Sequence, residues 1–313
     1  RIMKQLVILS GKGGTGKTSV TAAFAHLAAE GEPPVAAVLA DADVDASNLE
    51  LVLNPRALET HQFIGGSVAS IDPELCEGCG RCYEVCRFDA VLPPSGAGPY
   101  TVDPIACEGC AACVYQCPEQ AIAMSPQVAG LWFRSDSRYG ALFHAALLPA
   151  QENSGKLVTL VKQQARLLVM DEGAAAMIVD GPPGIGCPVI SAVSGADLAL
   201  IVAEPTAAGI HDLVRVVETT AHFRVPVIVC INKADIYPAG TEQIESYCRE
   251  NGIGMAGHLP FDPLVTDAMV HGEPITAYRP DSPAALALRT LWERVAARLA
   301  GHEQEEKIWL KNN

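Results

Sequence analysis

Aromatic residues are scarce, 5% of 313 positions, and so is positive charge: 22 Lys and Arg stand against 36 Asp and Glu, a formal net charge of −14. That balance argues against nucleic acid as a partner, because phosphates need a basic footprint, and against docking on an anionic membrane surface. No stretch of about 18 uninterrupted apolar residues occurs, so no transmembrane span is expected. The first apolar run starts almost at once and leaves no room for a signal peptide, which points to a cytoplasmic protein. What is abundant is Ala, Val, Leu and Gly; with 49% hydrophobic residues the chain can bury a sizeable core in one or two domains. Cysteines number eleven, and eight of them fall in two tight groups. In a cytoplasmic chain such grouping suggests metal rather than disulfides.

Leu6-Val7-Ile8-Leu9 reads as a strand buried on both faces. Gly11-Lys12-Gly13-Gly14-Thr15-Gly16-Lys17-Thr18 follows and fits G-x-x-x-x-G-K-[ST], and Ser19 to Glu30 is Ala-rich and helical in character. A glycine loop between a buried strand and a helix N-terminus is a P-loop: its N–H groups cradle phosphates, Lys17 reaches the β- and γ-phosphates, and Thr18 offers a hydroxyl to Mg²⁺. The generic motif does not need Lys12. With that extra lysine the segment resembles the deviant Walker A loop of the MinD/ParA/Mrp and nitrogenase-iron-protein branch of P-loop ATPases. The resemblance implies that Lys12 reaches the nucleotide of a partner subunit in a nucleotide-sandwich homodimer.

Further segments fit the same branch. Val35 to Leu39 reads as a strand that runs into Asp41-Ala42-Asp43-Val44-Asp45, at the strand end where open α/β sheets bind ligands. The resemblance to switch I implies that Asp41 lies near Mg²⁺ and that Asp43 positions or activates the attacking water; the plain alternative is that an aspartate caps the helix starting near Ser47. Ala175 to Val179 leads into Asp180-Gly181-Pro182-Pro183-Gly184-Ile185-Gly186, a Walker B strand with Asp180 toward Mg²⁺. Its likeness to switch II implies an N–H from Gly184 to the γ-phosphate. Asn232-Lys233-Ala234-Asp235 has the form of a guanine-reading N-K-x-D, yet in this branch the Asn contacts adenine, and Pro260 would line the base pocket. ATP is therefore the expected nucleotide and GTP the minority reading. Cys187, beside switch II, reads as a buried structural thiol, with a redox role as the alternative.

Between the second strand and the rest of the ATPase the composition turns to Gly, Pro and Cys. Cys76, Cys79, Cys82 and Cys86 are spaced C-x2-C-x2-C-x3-C, and Cys107, Cys110, Cys113 and Cys117 repeat the spacing before Pro118. This is the pattern of bacterial two-cluster ferredoxins, in which the fourth ligand of each cluster comes from the other half. By that pattern Cys76, Cys79, Cys82 and Cys117 hold one [4Fe–4S] cluster, and Cys107, Cys110, Cys113 and Cys86 hold the second. Zinc is the competing reading of paired C-x2-C motifs, but a duplicated set of eight is poorly explained by it. Cys86-Arg87, where many ferredoxins have Cys-Pro, departs from the pattern.

The expectation is an α/β P-loop NTPase with a mostly parallel sheet flanked by helices, residues 1–61 and 127–313, interrupted by a small α+β ferredoxin-like domain at 62–126. Val128 to Phe133 and Ala141 to Leu147 read as a hairpin at the sheet edge. Glu152 to Val158 opens a helix, and Pro283 to Gly301 closes the chain. The tail with Glu303, Glu305 and Glu306 lacks the basic face of a membrane anchor. The functional expectation is an ATPase, with ATP, Mg²⁺ and two [4Fe–4S] clusters, that couples nucleotide state to electron transfer toward an unnamed redox partner. The alternatives are an iron–sulfur assembly ATPase serving an apo-protein and a ParA-like redox-sensing switch.

Overall fold

A four-residue apolar core in the first strand sets the architecture. Leu6, Val7, Ile8 and Leu9 have no exposed surface, so the strand needs a neighbour on each edge and a helical layer on each face. The computed structural model describes residues 3–149 and 154–301. Its strands are β1 (Lys4–Ser10), β2 (Ala37–Asp41), β3 (Arg56–Ile71), β4 (Val91–Leu92), β5 (Thr101–Val102), β6 (Ile122–Ser137), β7 (Gly140–Leu147), β8 (Ala176–Pro183), β9 (Leu198–Ala203), β10 (Val227–Asn232) and β11 (Gly254–Leu259). Its helices are α1 (Lys17–Glu30), α2 (Leu49–Leu53), α3 (Arg81–Val85), α4 (Ala112–Gln116), α5 (Ser154–Glu172), α6 (Cys187–Val193), α7 (Ala207–His222), α8 (Pro238–Glu250), α9 (Leu264–Val270), α10 (Ile275–Tyr278) and α11 (Pro283–Leu299).

The large sheet has the order β11-β10-β9-β1-β8-β2-β7-β6-β3. Every pair from β11 to β7 is parallel. The chain therefore has an α/β fold with a mostly parallel sheet flanked by helices. Residues 150–153 and 302–313, which include the start of the loop read before α5 and the acidic tail, lie outside the described residues. Among the described residues no helix is long and apolar enough to cross a membrane.

Helix ends follow local chemistry. The Thr206 hydroxyl accepts from the Gly209 N–H at the start of α7. The Ser282 hydroxyl accepts from the Ala285 N–H at the start of α11, where Pro283 takes the first helical position. Phe24 of α1 packs on Trp292 of α11 with ring centroids 5.1 Å apart, which closes one helical layer over the sheet.

Register decides where the carboxylates meet. Asp180 on β8 lies opposite Ile8 on β1 and opposite Asp41 on β2. Three neighbouring strands thus deliver the P-loop, Asp41 and Asp180 to one edge of the sheet.

Three features differ from the sequence expectation. Cys187, expected as a buried thiol, is exposed at the start of α6. The sequence marks no strand at β3. That element is a 16-residue strand whose residues from Arg56 to Gln62 are all exposed, so it carries no alternating pattern to read. The hairpin of β6 and β7 is not the sheet's edge: β7 lies beside β2, and β3 is outermost.

The chain divides into two units. The first comprises Arg1–Thr60, Trp132–Ala146 and Ser154–Asn313; the second is His61–Leu131 with a short return segment from Leu147. The second unit has its own small core, Ala69, Cys82, Val91, Cys113 and Ile122, and an antiparallel β4–β5 pair.

The second unit is also internally duplicated. The four cysteines of its first half, Asp72, Glu77 and Gly78 all recur 31 residues later. The Cys76 N–H donates to the Asp72 carbonyl and the Cys107 N–H to the Asp103 carbonyl, both at 3.1 Å. Asp72 and Asp103 accept at Oδ1 from the N–H two residues on, each at 2.9 Å. The two halves are tied by matched backbone bonds of 2.8 Å, Asp72 N–H to Ala121 and Asp103 N–H to Ala90.

Candidate functional site

The eight clustered thiols of the second unit are sorted by the fold into two groups. One small cavity of about 20 Å³ is lined by Cys76, Cys79, Cys82 and Cys117. A second, also about 20 Å³, is lined by Cys86, Cys107, Cys110 and Cys113. All eight are free thiols. Each set takes three cysteines from one half of the duplication and one from the other. Two short helices, α3 and α4, make this possible: each carries the third thiol inward and delivers the fourth at its C-terminal end.

Backbone geometry keeps the loops tight. Gly109 has φ +66°, and a Cβ there would lie 2.2 Å from the Ser67 carbonyl oxygen, a contact no alanine could relieve. The Ala121 N–H donates to Cys117 Sγ at 3.3 Å, the kind of contact that tunes a ligating sulfur. Burial pushes the Cys82 and Cys113 thiols up.

Among the described residues no group of three His, Cys, Asp or Glu side chains stands ready to hold a single metal ion. The thiols of each set are disposed around a cavity instead, and that donor set of four sulfurs fits a [4Fe–4S] cluster.

The first unit holds a cavity of about 520 Å³. Its floor is the P-loop between β1 and α1. A Cβ on Gly11 would lie 2.2 Å from Asp212 Cβ on α7, and one on Gly16, at φ +91°, would lie 2.4 Å from Asn232 Nδ2. Both glycines are therefore packing requirements as well as phosphate-loop residues. The Thr15 hydroxyl lines the cavity, is buried, and has no hydrogen-bond partner. Such an orphan is what a phosphate oxygen would satisfy.

Behind the loop, Lys17 Nζ lies 2.9 Å from Asp180 Oδ1 and 3.7 Å from Asp43 Oδ2. The Thr18 hydroxyl donates to Asp180 Oδ2 at 2.7 Å and the Thr21 hydroxyl to Asp180 Oδ1 at 3.0 Å. Burial alone pulls the Lys17 ammonium down, but Asp180, with Asp41 and Asp43, outweighs it and the net shift is upward. Lys17 is therefore charged when it meets phosphate. Asp43 is pushed up, first by burial.

Asp41 is wholly buried, and burial, then the neighbouring Asp180, raises it to about 7. Its Oδ1 accepts from the Asp43 N–H at 3.0 Å; its Oδ2 accepts from the Ser47 hydroxyl at 2.8 Å and the Leu49 N–H at 3.1 Å. It caps α2 and shapes the loop that presents Asp43.

At the other end of the cavity, Asn232 donates from Nδ2 to the Thr15 carbonyl at 2.7 Å and accepts from the Lys233 N–H at 2.9 Å. Asp235 Oδ1 is taken by the Phe261 N–H at 2.7 Å. Pro260 and Phe261 line the same end. Lys12 is turned onto Glu204 at 2.9 Å, and Lys233 holds the other oxygen of that carboxylate at 2.5 Å. Gly184, at φ +90°, donates its N–H to the Ser10 carbonyl at 2.9 Å.

A family model described as the CobQ/CobB/MinD/ParA nucleotide binding domain matches residues 6–275. The chain belongs to this family. It is an ATP-binding MinD/ParA-type P-loop protein. The chain is 34% identical to an uncharacterized protein, MJ0578, of Methanocaldococcus jannaschii, over 74% of this chain and 79% of that one. An uncharacterized ATP-binding protein of the same organism, MJ0547, is 25% identical over 97% of this chain and 90% of its own. A cytosolic Fe-S cluster assembly factor NUBP1 homolog of Caenorhabditis elegans is 28% identical over 39% of this chain and 45% of its own. In fold, the chain is similar to the septum site-determining protein MinD of Pyrococcus horikoshii in complex with Mg-ADP, with TM-score 0.58 and 18% identity, covering 96% of this chain and 98% of that one.

In this MinD/ParA-family chain, Gly13 to Thr18, Asp43, Asn232 and Pro260 share one cavity, and Lys17 and Thr18 converge on Asp180. Lys12 and Gly184 are turned to partners within their own subunit, Glu204 and Ser10. Glu204 escaped the sequence reading, although a carboxylate one residue beyond β9 satisfies the same strand-end rule that singled out Asp41 and Asp180. Thr21 and Asp212 carried no comparable signal.

Proposed function

We propose that this chain is a Mg-dependent ATPase that couples its nucleotide state to one-electron transfer through two [4Fe–4S] clusters, toward a redox partner. The observation that carries the reading is the sorting of eight cysteines into two four-thiol cavities on a chain whose other unit holds a Walker-type cavity.

P-loop N–H groups and Lys17 bind the β- and γ-phosphates, and the Thr15 hydroxyl takes one of their oxygens. Thr18 and Asp180 would hold Mg²⁺, which neutralises phosphate charge; Asp41, committed to the loop, supports from behind. Asp43, raised by burial and close to Lys17, orients the attacking water and accepts its proton. Asn232 fixes the P-loop beside the base, and Pro260 lines the base pocket. Adenine is the preferred base by the resemblance to the MinD/ParA branch; Asp235 Oδ1 accepts from the Phe261 N–H and ties the turn after β10 to the base-pocket loop. Lys12 leaves Glu204 to complete the partner's site in a nucleotide-sandwich homodimer. Gly184 exchanges Ser10 for the γ-phosphate, and its release after hydrolysis gives two states.

Cys76, Cys79, Cys82 and Cys117 would hold one cluster, and Cys86, Cys107, Cys110 and Cys113 the other. Each would take up and give back one electron at a time. The likeness to the NUBP1 homolog, named as an assembly factor, favours a second reading in which clusters are cargo for an apo-protein.

The deciding experiment is anaerobic reconstitution followed by iron and sulfide analysis and chelator challenge. Resident clusters give roughly eight iron per chain that resist the chelator. Iron lost within minutes to chelator or to an apo-ferredoxin supports the assembly reading. A chain that holds only zinc overturns both.

A further inference from the structure

The two thiol-lined cavities are near-copies, and their differences can be read off the 31-residue offset of the duplication. Most lining positions match in kind: Glu77 in the first cavity corresponds to Glu108 in the second, and Ile71, Ala121 and Ile122 correspond to Val102, Ala90 and Val91. Each cavity also receives one aromatic ring, Tyr100 in the first and Phe88 in the second. The charge does not match. Where the second cavity has Phe88, the first has Glu119, two residues after its fourth thiol. The unit's two arginines do not restore the balance: Arg81 and Arg87 both fall in the first half of the duplication, and neither lines a cavity. The first cavity therefore faces two carboxylates and the second faces one.

Resting on the cluster reading above, we propose that Glu119 is a positioning residue that sets the order of reduction. Adding one electron to a four-thiolate cluster makes it one unit more negative, with no bond made or broken. A carboxylate at the lining opposes that change. The cluster held by Cys76, Cys79, Cys82 and Cys117 is then the harder to reduce, and an electron from an external one-electron donor settles on the cluster held by Cys86, Cys107, Cys110 and Cys113. Glu119 is exposed, so solvent screens its effect. The separation it supplies is correspondingly modest.

The test is an anaerobic redox titration of the reconstituted full chain, with sodium dithionite as reductant and the reduced clusters followed by electron paramagnetic resonance. The wild type should show two midpoints. Glu119→Gln should raise the lower one and leave the upper in place, changing the ratio of the two reduced clusters by about threefold, roughly 30 mV for a one-electron couple. Phe88→Glu, an independent variant in the other cavity, should lower the upper midpoint by a similar amount and close the gap. Cys79→Ser, which alters the signal of the first cavity's cluster alone, assigns each midpoint. Midpoints that ignore both variants, or a Glu119→Gln shift in the cluster of the second cavity, would overturn the proposal while leaving the cluster reading intact. A chain whose iron content falls short of two clusters overturns the reading beneath it and this proposal together.

Discussion

Asp180 is the residue on which the nucleotide site closes. With no exposed surface it is the common partner of Lys17, Thr18 and Thr21. Removing one member of a buried pair leaves the other charge uncompensated. Asp180→Asn should therefore cost stability, about 3 kcal/mol by urea denaturation of the nucleotide-free chain, and lower ATP hydrolysis by about 100-fold or more. Asp43→Asn should separate the two effects, because Asp43 lies 3.7 Å from Lys17 and is partly open. It should lose hydrolysis while retaining ATP binding, as read by a fluorescent analogue.

A second residue-scale prediction concerns His144 in the first unit. Its Nε2 lies 3.0 Å from the Ser135 hydroxyl and its Nδ1 lies 3.0 Å from Glu50 Oε2. A neutral ring that donates from Nδ1 and accepts at Nε2 satisfies both. Burial lowers its pKa from 6.5 to about 4, and the solvent-facing Glu50 carboxylate, itself pushed up by burial, does not offset this. The unfolded chain thus binds a proton between pH 6.5 and 4 that the folded chain refuses, so this group's contribution to stability is full above 6.5 and lost as pH falls toward 4. The loss amounts to about 2–3 kcal/mol. His144→Gln should flatten that part of a urea-midpoint profile; an unchanged slope would place the acid sensitivity elsewhere.

Among elements, the strands buried on both faces were the most legible. β1 and β8 announce themselves as apolar runs that end in turn chemistry, and α11 as the closing helix from Pro283. The P-loop was legible because phosphate dictates residue type at fixed intervals, and the cysteine spacing because it repeats itself 31 residues on. β3 was not, since a strand exposed along its first seven residues has no pattern to betray it. Asp41 was legible with two readings, near a metal or as a helix cap, and its bonds from the Ser47 hydroxyl and the Leu49 N–H display the cap. The same contrast between spacing and backbone geometry yields a test. Gly109→Ala would drive a Cβ to 2.2 Å from the Ser67 carbonyl oxygen, whereas a Cβ on Gly66 meets nothing within 4 Å. After anaerobic reconstitution Gly109→Ala should hold about half the wild-type iron, with Gly66→Ala close to wild type. Equal iron in the two would mean that the thiol loops are laxer than their geometry implies.

At the scale of the whole molecule the question is whether the two units exchange free energy. The chain passes from the first unit into the second after Thr60 and returns at Trp132. If the clusters sense the nucleotide, linkage requires the converse: the ATP affinity must differ between oxidised and reduced protein by the same factor by which ATP shifts the reduction equilibrium. A tenfold effect is 59 mV for a one-electron couple, or about 1.4 kcal/mol. The midpoints should therefore shift by about that much on adding Mg-ATP, and the shift should depend on dimer formation, since Lys12 can exchange Glu204 for a partner's nucleotide only when two chains meet. Lys12→Ala should abolish both the ATP-dependent dimer in sedimentation and the shift, leaving nucleotide binding by the single chain within a few-fold of wild type. A shift that survives in the monomeric variant would mean that coupling runs within one chain. The absence of any shift in a wild-type dimer would mean that the clusters are wired to the ATPase only by peptide, and the assembly reading would then carry the greater weight.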